Sequence, residues 1–209
     1  RMPEGLSFVE AAMTEPAAVA GHALRITPLH LNETVAVVGT GLIGLLLIQL
    51  VRASHSGRII AIDTDESRRR SALSFGADAA LDPTAPDLMH QVARITKGQK
   101  VDRVFEAVGA SAPIATAIAL VRKAGSVTLI GNVSANIELP LQQVVTRQIS
   151  LFGSCAIAGE YPAILDMMAR KKIDVMPLVS ATAPLNEGQQ WFERLYDREP
   201  GLLKVVLQP

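Results

Sequence analysis

The sequence is poor in several residue types whose scarcity limits what the protein does. It has a single cysteine, Cys155, and only 4% aromatic residues among its 209 positions. One cysteine excludes an intrachain disulfide and any zinc site built from several thiolates of this chain. It also favours a reducing compartment, so we expect the protein in the cytoplasm. The scarcity of aromatic rings argues against a platform on which nucleic-acid bases stack.

An excess of one charge and a long apolar segment are also missing. Lys and Arg together number 20, as do Asp and Glu, so the formal net charge is zero. Such a chain is not built around nucleic-acid phosphates or an anionic membrane surface. One apolar stretch, residues 35–51, is shorter than the ~20 residues that a membrane span needs and is interrupted by glycines. We therefore expect no nucleic-acid or membrane partner and, from residues 1–16, no secretory signal.

Short β-branched segments alternate with helical patterns from residue 34 onward. The pattern predicts strands at residues 35–38, 59–62, 79–81, 101–105, 127–130 and 149–152. It predicts helices at residues 42–53, 65–75, 86–96, 112–123 and 141–147, with Gly76 and Gly125 as helix-ending residues. Strands that are apolar on both faces and separated by helices indicate a parallel sheet covered on both sides. Right-handed crossovers then give the α/β doubly wound Rossmann fold with six strands in the order 3-2-1-4-5-6.

The two ends of the chain do not follow this alternation. Residues 1–27 are predicted to form a proline-rich entry followed by a helix at about 16–25, and residues 28–176 the dinucleotide-binding domain, which closes with a helix at 161–172. Residues 177–209 are predicted to form a short strand, a helix at about 186–197 and a last strand at 203–207. Both flanks suit a second domain whose main body lies outside this sequence.

A glycine motif follows the first predicted strand and opens the first predicted helix. It has the pattern G-x-G-x-x-G and consists of Gly39, Thr40, Gly41, Leu42, Ile43 and Gly44. The first glycine permits the tight turn, the second lets a pyrophosphate approach the backbone, and the third allows close helix packing. The N-terminus of the helix offers free N–H groups to phosphates. The motif predicts dinucleotide binding, and a purely structural glycine turn is the alternative.

An acidic residue, Asp63, stands at the end of the second strand, nineteen residues beyond Gly44. A carboxylate there accepts hydrogen bonds from the ribose hydroxyls of adenosine, which selects NAD over NADP. Arg68, Arg69 and Arg70 offer an alternative 2′-phosphate site. At helical spacing, however, they fan around a solvated face, and Asp63 would repel that phosphate.

Other residues carry weaker signals. Ala107 and Val108 follow strand four beside the point where the strand order reverses, so they are predicted to touch the cofactor, although a simple β-to-α turn explains them equally well. Cys155 has no base placed near it by sequence and is interpreted as a small apolar residue. The four histidines show no metal-ligand spacing.

Several segments together resemble a known family. They are residues 15–23 (EPAAVAGHA), 35–44, 75–78 (FGAD), 105–109 (FEAVG), 153–154 and 201–207 (GLLKVVL). They resemble the zinc-dependent medium-chain alcohol dehydrogenases, and most of all the polyol (sorbitol) and threonine dehydrogenase branch. Asn32 and Glu33 depart from the glycine-acid turn that is usual before the first strand.

The resemblance implies roles for individual residues. The glycine loop would hold the pyrophosphate, with Lys204 within reach of it, and Asp63 and Arg68 would flank the adenosine ribose. Glu15 would lie near the zinc, although an acidic residue in a first helical turn is also explained by the helix dipole. The backbone that would hold the nicotinamide is that of Ile130, Gly131, Asn132 and residues 151–153 with Phe152.

The function implied by the resemblance is that of an NAD-dependent alcohol or polyol dehydrogenase. Family members carry a further N-terminal domain that supplies a Cys and a His-Glu pair to the catalytic zinc, so these 209 residues alone are expected to be inactive. The alternatives are a zinc-free quinone or enoyl reductase that uses NADPH and a non-catalytic NAD-binding module. The uncharged, proline-free sequence of strand six, residues 149–153, predicts an edge that pairs with a second copy, giving a homodimer or a homotetramer.

Overall fold

The computed structural model describes residues 1–55 and 57–209. Two helices come first and are followed by alternating strands and helices, with single 3₁₀ turns at Met176–Leu178 and Leu185–Glu187. The elements in chain order are α1 (Phe8–Ala12), α2 (Thr14–Ile26), β1 (Val35–Val38), α3 (Leu42–Ser54), β2 (Ile59–Ile62), α4 (Glu66–Ser74), β3 (Ala79–Leu81), α5 (Leu88–Ile95), β4 (Val101–Glu106), α6 (Ser111–Leu120), β5 (Val121–Leu129), α7 (Leu141–Thr146), β6 (Ser150–Gly153), α8 (Tyr161–Ala169), β7 (Ala181–Pro184), α9 (Gly188–Tyr196) and β8 (Val205–Gln208).

Six of the strands form one parallel sheet in the order β3-β2-β1-β4-β5-β6, so the predicted doubly wound fold is confirmed. The register aligns the carboxyl ends of neighbouring strands, because Val38 lies opposite both Ile62 and Glu106, and Leu129 lies opposite Glu106 and Gly153. The residues that follow these strands therefore meet at one edge of the sheet. The other two strands, β7 and β8, form a separate parallel pair.

The alternation of side chains along the central strands separates two apolar clusters, one on each face of the sheet. Val35 and Val37 of β1 face the cluster that contains α2, α3 and α8, whereas Ala36 and Val38 face the cluster with α5 and α6. Both faces are covered, which explains why all of β1 and β2 is buried. The helix α2 belongs to the first cluster through its buried alanines. The predicted division of the chain into domains at residues 27 and 176 stays a prediction.

The apolar stretch at residues 35–51 consists of β1, a turn and most of α3. Helix α3 buries nearly its whole surface between the sheet and α2, which accounts for its continuous apolar sequence. Within the described ranges, no helix combines the length and the apolar character that crossing a membrane requires.

The predicted helix at residues 112–123 is wrong at its C-terminal end. Helix α6 ends at Leu120, and Val121 already pairs with Val101 as the first residue of β5. Arg122 contributes to this pairing because its Nε donates to Asp102 Oδ1 at 2.5 Å. Gly125 is consequently a strand residue rather than a helix end. The predicted helix end at Gly76 is confirmed, since its φ of +106° follows the end of α4.

The N-terminal entry contains a helix that the proline-based prediction missed. Ser7 and Glu10 form a capping box at the start of α1: the Glu10 backbone N–H donates to Ser7 Oγ at 3.1 Å, and the Ser7 N–H donates to Glu10 Oε2 at 2.8 Å. The Glu10 carboxylate also contacts Lys171 Nζ at 2.8 Å, and this contact together with the Ser7 bonds lowers the pKa of Glu10 to about 2. The signal was present in the sequence as the spacing S-x-x-E.

Two glycines allow the loops after β4 and β5 to cross in direct backbone contact. Gly109 has a φ of +82°, and a Cβ there would lie within 3.0 Å of the Gly131 backbone. A Cβ at Gly131 would clash in the same way with the backbone of Val108 and Gly109. The Ser134 N–H donates to the Gly109 carbonyl at 2.9 Å, which fastens the crossing. Only residues without a side chain permit this approach.

Replacing Gly109 by Ala tests the importance of this crossing, with Gly98→Ala as the matched control. Gly98 has nearly the same φ, +83°, but nothing lies within 4 Å of a Cβ built there. We expect Gly98→Ala to lower the free energy of unfolding by about 1–2 kcal/mol, the cost of a left-handed backbone with a Cβ. Gly109→Ala should cost about 1–3 kcal/mol more, because the two loops must separate. Urea denaturation measures the free energy of unfolding of both variants. If Gly109→Ala lost no more of it than Gly98→Ala, the proposed importance of the crossing would be contradicted.

Candidate functional site

The glycine loop between β1 and α3 is shaped by two of its three glycines and left open at the third. Gly39 has a φ of +87°, and a Cβ there would lie 2.5 Å from Val108 Cγ2. A Cβ at Gly44 would clash with the Gly39 carbonyl, so this glycine lets α3 approach the loop. Gly41 has no neighbour within 4 Å of its Cβ position, and no side chain caps the helix that starts after it. The loop therefore presents unpaired backbone N–H groups to open space.

The carboxylate of Asp63 fastens this loop to the end of β2. Asp63 is only 8% exposed, and its Oδ2 accepts hydrogen bonds from Thr40 N at 2.7 Å and Thr40 Oγ1 at 3.1 Å. Its Oδ1 accepts from Asp65 N at 2.9 Å. Since a carboxylate offers about four acceptor positions and these bonds use three, one acceptor position remains at Oδ1. Sequence reasoning placed Asp63 at the site but missed its bonds to Thr40.

The three consecutive arginines of α4 have different partners. Arg69 donates to the Asp63 and Thr64 carbonyls at 2.7 and 2.9 Å and pairs with Asp82. Arg70 pairs with Glu66 on the exposed face of the helix. Arg68 is the member of the three that faces the cleft described below. The interpretation of Arg69 and Arg70 as a solvated face is therefore right for Arg70, whereas Arg69 holds the end of β2 in place.

A second carboxylate, Glu106, shapes the loop after β4. Glu106 is fully buried, and its side chain accepts the N–H groups of Val108 at 2.8 Å and Gly109 at 3.0 Å. Burial raises the pKa of Glu106 despite these two backbone hydrogen bonds, which act in the opposite direction. Its own carbonyl accepts the Ile130 N–H at 2.8 Å. Glu106 thus orients the turn that carries Ala107 and Val108.

A cleft of about 570 Å³ opens at the carboxyl ends of β1, β2 and β4. Six of the residues predicted for the cofactor site line it, namely Gly39, Gly41, Asp63, Arg68, Ala107 and Val108. The sequence reasoning missed eight further lining residues beyond the strand ends Val38 and Ile62, which are Thr64, Pro83, Thr84, Ala112, Pro113, Thr116, Val133 and Arg198. Pro83 and Thr84 could have been found, because they closely follow β3 at the same sheet edge. No local pattern marks Arg198.

The remaining predicted residues lie around the cleft without lining it. Thr40, Leu42, Ile43 and Gly44 belong to the loop and the first turn of α3, and Asn132 is exposed beside the loop crossing. Phe152 lies in β6 opposite Thr128, and Lys204 precedes β8. Ile130 and Gly131 follow β5 directly. The assignment of these residues to a cofactor stays a prediction.

The described part of the chain does not offer a zinc site. It contains no group of three His, Cys, Asp or Glu side chains that could hold a metal ion. Glu15 is exposed in the first turn of α2, and His22 Nδ1 contacts Glu160 Oε1 at 2.9 Å. Burial alone would raise the pKa of Glu160, but His22, the Ala158 N–H and Arg25 outweigh it and lower that pKa to about 2. His22, Arg25 and Glu160 are therefore engaged in a structural cluster that joins α2 to α8, and a position of Glu15 near zinc stays a prediction.

The raised pKa of Glu106 predicts a pH dependence of stability. Because the folded state holds the Glu106 proton more tightly than the unfolded state, ionisation of this group lowers the free energy of unfolding as the pH rises from about 4.5 through the folded pKa. Gln at this position keeps an acceptor oxygen for both N–H groups but cannot ionise. We expect the stability of Glu106→Gln relative to the unmodified chain to increase over that pH window in urea denaturation. A constant difference across the window would contradict the assignment.

Comparison with known proteins places this geometry in a family. The profile of the zinc-binding dehydrogenase family matches residues 43–170. Sorbitol dehydrogenase of Bacillus subtilis (strain 168) is 30% identical over 210 residues, which cover 100% of this chain and 59% of that protein. The chain thus spans little more than half the length of this relative.

Two solved structures share the fold over 100% of this chain. A protein described as a zinc-binding dehydrogenase from Sinorhizobium meliloti 1021, bound to NADP, has a TM-score of 0.88 and 26% identity, with 61% of that chain covered. A protein named short chain alcohol dehydrogenase from Escherichia coli CFT073, complexed with NADH, has a TM-score of 0.90 and 25% identity, with 62% covered. The residues matched by the family profile, 43–170, contain most of α3, the end of β2 and the loop after β4. The chain therefore belongs to the zinc-binding dehydrogenase family.

Proposed function

We propose that this chain is the NAD(H)-binding part of a zinc-dependent oxidoreductase that transfers hydride between an alcohol or polyol and NAD. The observation that carries the proposal is the open position at Gly41, where an uncapped helix N-terminus faces a cleft beside the buried carboxylate of Asp63. This combination offers N–H groups to a pyrophosphate and an acceptor to a ribose hydroxyl.

The lining of the cleft supports an orientation for the cofactor. Pro83 and Thr84, which follow β3, and Pro113 and Thr116 of α6 line the same cleft, and we place the adenine between these two pairs. The ribose would then lie at Asp63 and the pyrophosphate at residues 39–44, with Lys204 as a further cation. The nicotinamide would continue toward Ile130, Gly131, Asn132 and Phe152. Bound NAD supplies the hydride acceptor, and the chain orients it.

The choice between NAD and NADP rests on Asp63 rather than on family membership, because one of the two solved relatives is bound to NADP and the other is complexed with NADH. A 2′-phosphate would meet the Asp63 carboxylate as a like charge. Two unit charges at 4 Å repel by about 4 kcal/mol at an effective dielectric of 20, and screening reduces this to ~1–3 kcal/mol. That range corresponds to roughly 5-fold to 150-fold in affinity. The site therefore favours NAD.

Zinc enters the proposal only through the whole protein. The described residues do not form a ligand set for the metal, so no step of the reaction is assigned to them. We expect the 209-residue chain to bind dinucleotide but to show no turnover with alcohols or polyols. A zinc-free reductase that uses NADPH, or a module that binds NAD without catalysis, is distinguished by the cofactor preference and by the activity of the whole protein.

Replacing Asp63 by Asn tests the cofactor assignment, with Asp65→Asn as the matched control. Asp65 is the N-cap of α4 and accepts Arg68 N at 3.0 Å, a role that Asn also fills, and it does not line the cleft. We expect Asp63→Asn to weaken NADH binding and strengthen NADPH binding, which shifts the preference by about tenfold. Asp65→Asn removes the same charge two residues away and should leave the preference nearly unchanged.

Isothermal titration calorimetry of both cofactors into the three proteins measures these affinities. Equal affinity of the unmodified chain for NADPH and NADH would show that Asp63 does not select the cofactor. Absence of binding by either dinucleotide would refute the proposed function as a whole. Turnover by this chain with stoichiometric zinc would contradict the expectation that its metal ligands lie elsewhere.

We also propose that the protein acts in the cytoplasm as a homodimer, or as a homotetramer built from such dimers, through the β6 edge. Strand β6 is the last strand of the sheet on its side, so one row of its backbone N–H and C=O groups has no partner strand among the described residues. The β6 sequence SLFG contains no charged residue and no proline that would hinder pairing with another strand. Such edges pair readily with another strand.

A lysine at Ser150 tests this interface, because an edge lysine hinders strand pairing and Ser150 is exposed. We expect Ser150→Lys to shift the sedimentation velocity of the chain from dimer to monomer. Ser67→Lys, at an exposed position of α4 remote from β6, serves as the control and should stay dimeric. A dimeric Ser150→Lys protein would contradict this interface, and a monomeric unmodified chain would contradict the dimer.

A further inference from the structure

The cleft contains a guanidinium from a distant part of the chain. Arg198, which follows α9, lines the same cleft as Gly41, Asp63 and Arg68, although the other lining residues lie between positions 38 and 133. Asp63, Arg68 and Arg198 are the charged residues in this lining. The C-terminal part of the chain therefore brings a positive charge to the candidate cofactor site.

The turn that carries Arg198 is held by several contacts. Arg198 has a φ of +55° and donates its N–H to the Leu195 carbonyl at 3.1 Å, while the Glu199 N–H donates to the Arg194 carbonyl at 3.1 Å. The Arg194 guanidinium makes two hydrogen bonds of 2.6 Å to the Glu199 carboxylate. It also stacks over Trp191, 4.0 Å from the ring centroid. The backbone that presents Arg198 is thus fixed on both sides.

This geometry is a common way for helices to end in this protein and by itself indicates no function. Lys97 and Lys171 have similar positive φ values just after α5 and α8. Arg198 differs from Lys97 and Lys171 because it lines the cleft and they do not. Lys171 instead pairs with Glu10.

The charges of the cleft are unbalanced in favour of an anion. Across residues 1–55 and 57–209, neither Arg68 nor Arg198 forms an ion pair, whereas Arg69 and Arg70 of the same region do. The Asp63 carboxylate is occupied by the N–H groups of Thr40 and Asp65 rather than by an arginine. Two guanidiniums without a carboxylate partner fit phosphate oxygens, which arginine binds through paired N–H groups.

We propose that Arg198 binds a phosphate group of the dinucleotide, so that the segment after α9 forms part of the cofactor site. This inference rests on the proposed function. Two phosphates of a nicotinamide dinucleotide are candidates: the pyrophosphate, which NADH and NADPH share, and the 2′-phosphate, which only NADPH carries. Both are anionic oxygen groups that an arginine recognises in the same way.

The test is a set of calorimetric titrations of the unmodified 209-residue chain, Arg198→Ala and Arg198→Lys, with NADH, NADPH, ADP and adenosine. Arg70→Ala is the control, since it removes the same charge from an exposed position outside the cleft. We expect Arg198→Ala to weaken the binding of phosphate-containing ligands about tenfold and to leave adenosine unchanged. Arg198→Lys should recover part of the loss, and Arg70→Ala should stay within about twofold of the unmodified chain.

The ligands separate the two phosphates. Equal losses for NADH, NADPH and ADP identify the pyrophosphate, whereas a loss confined to NADPH identifies the 2′-phosphate. Unchanged affinities of Arg198→Ala would overturn this inference and leave the proposed function intact, because the unmodified chain would still bind NADH. Equal weakening of adenosine and ADP would also overturn it, since the substitution would then act on the fold. Failure of the unmodified chain to bind any dinucleotide would overturn both proposals.

Discussion

Two buried carboxylates that accept backbone N–H groups at the carboxyl edge of the sheet hold the whole candidate site in shape. Asp63 binds the glycine loop through Thr40, and Glu106 binds the turn at Val108 and Gly109. A buried carboxylate without such donors would be costly, and a buried loop N–H without an acceptor would be costly too. In this structure the loop N–H groups are the donors that the carboxylates need, and the carboxylates are the acceptors that the loops need. The sheet register places both carboxylates at the same edge.

The loops held in this way leave very little room between them, which is why glycine recurs at the edge. Gly39, Gly44, Gly109 and Gly131 all stand where a Cβ would meet neighbouring backbone or side-chain atoms within 3.0 Å. Among the three glycines of the loop between β1 and α3, Gly41 differs, since its Cβ position faces open space. The contrast separates glycines that the fold requires from a glycine whose Cβ position is open, which is where we propose that the pyrophosphate approaches the backbone.

A chain with zero net charge can still offer a positively charged site, because its charges are unevenly paired. Most arginines are engaged with carboxylates or carbonyls, such as Arg103, whose side chain contacts Glu33 at 2.8 Å and the Pro28 carbonyl at 2.7 Å. The guanidiniums of Arg68 and Arg198 face the cleft instead. With the uncapped start of α3, they create a local preference for anions that composition does not reveal.

The strands, the glycine loop and Asp63 were predictable because each has a local sequence pattern. Short apolar segments separated by helical segments indicate parallel strands, and the spacing of the glycines indicates the turn. The end of α6 was not predictable, since Val121 leaves the helix only because Val101 offers it a strand partner. The bond from Thr40 to Asp63 and the entry of Arg198 into the cleft were decided by tertiary structure alone. Contacts between residues that are distant along the chain have no local pattern, because packing, not propensity, brings them together.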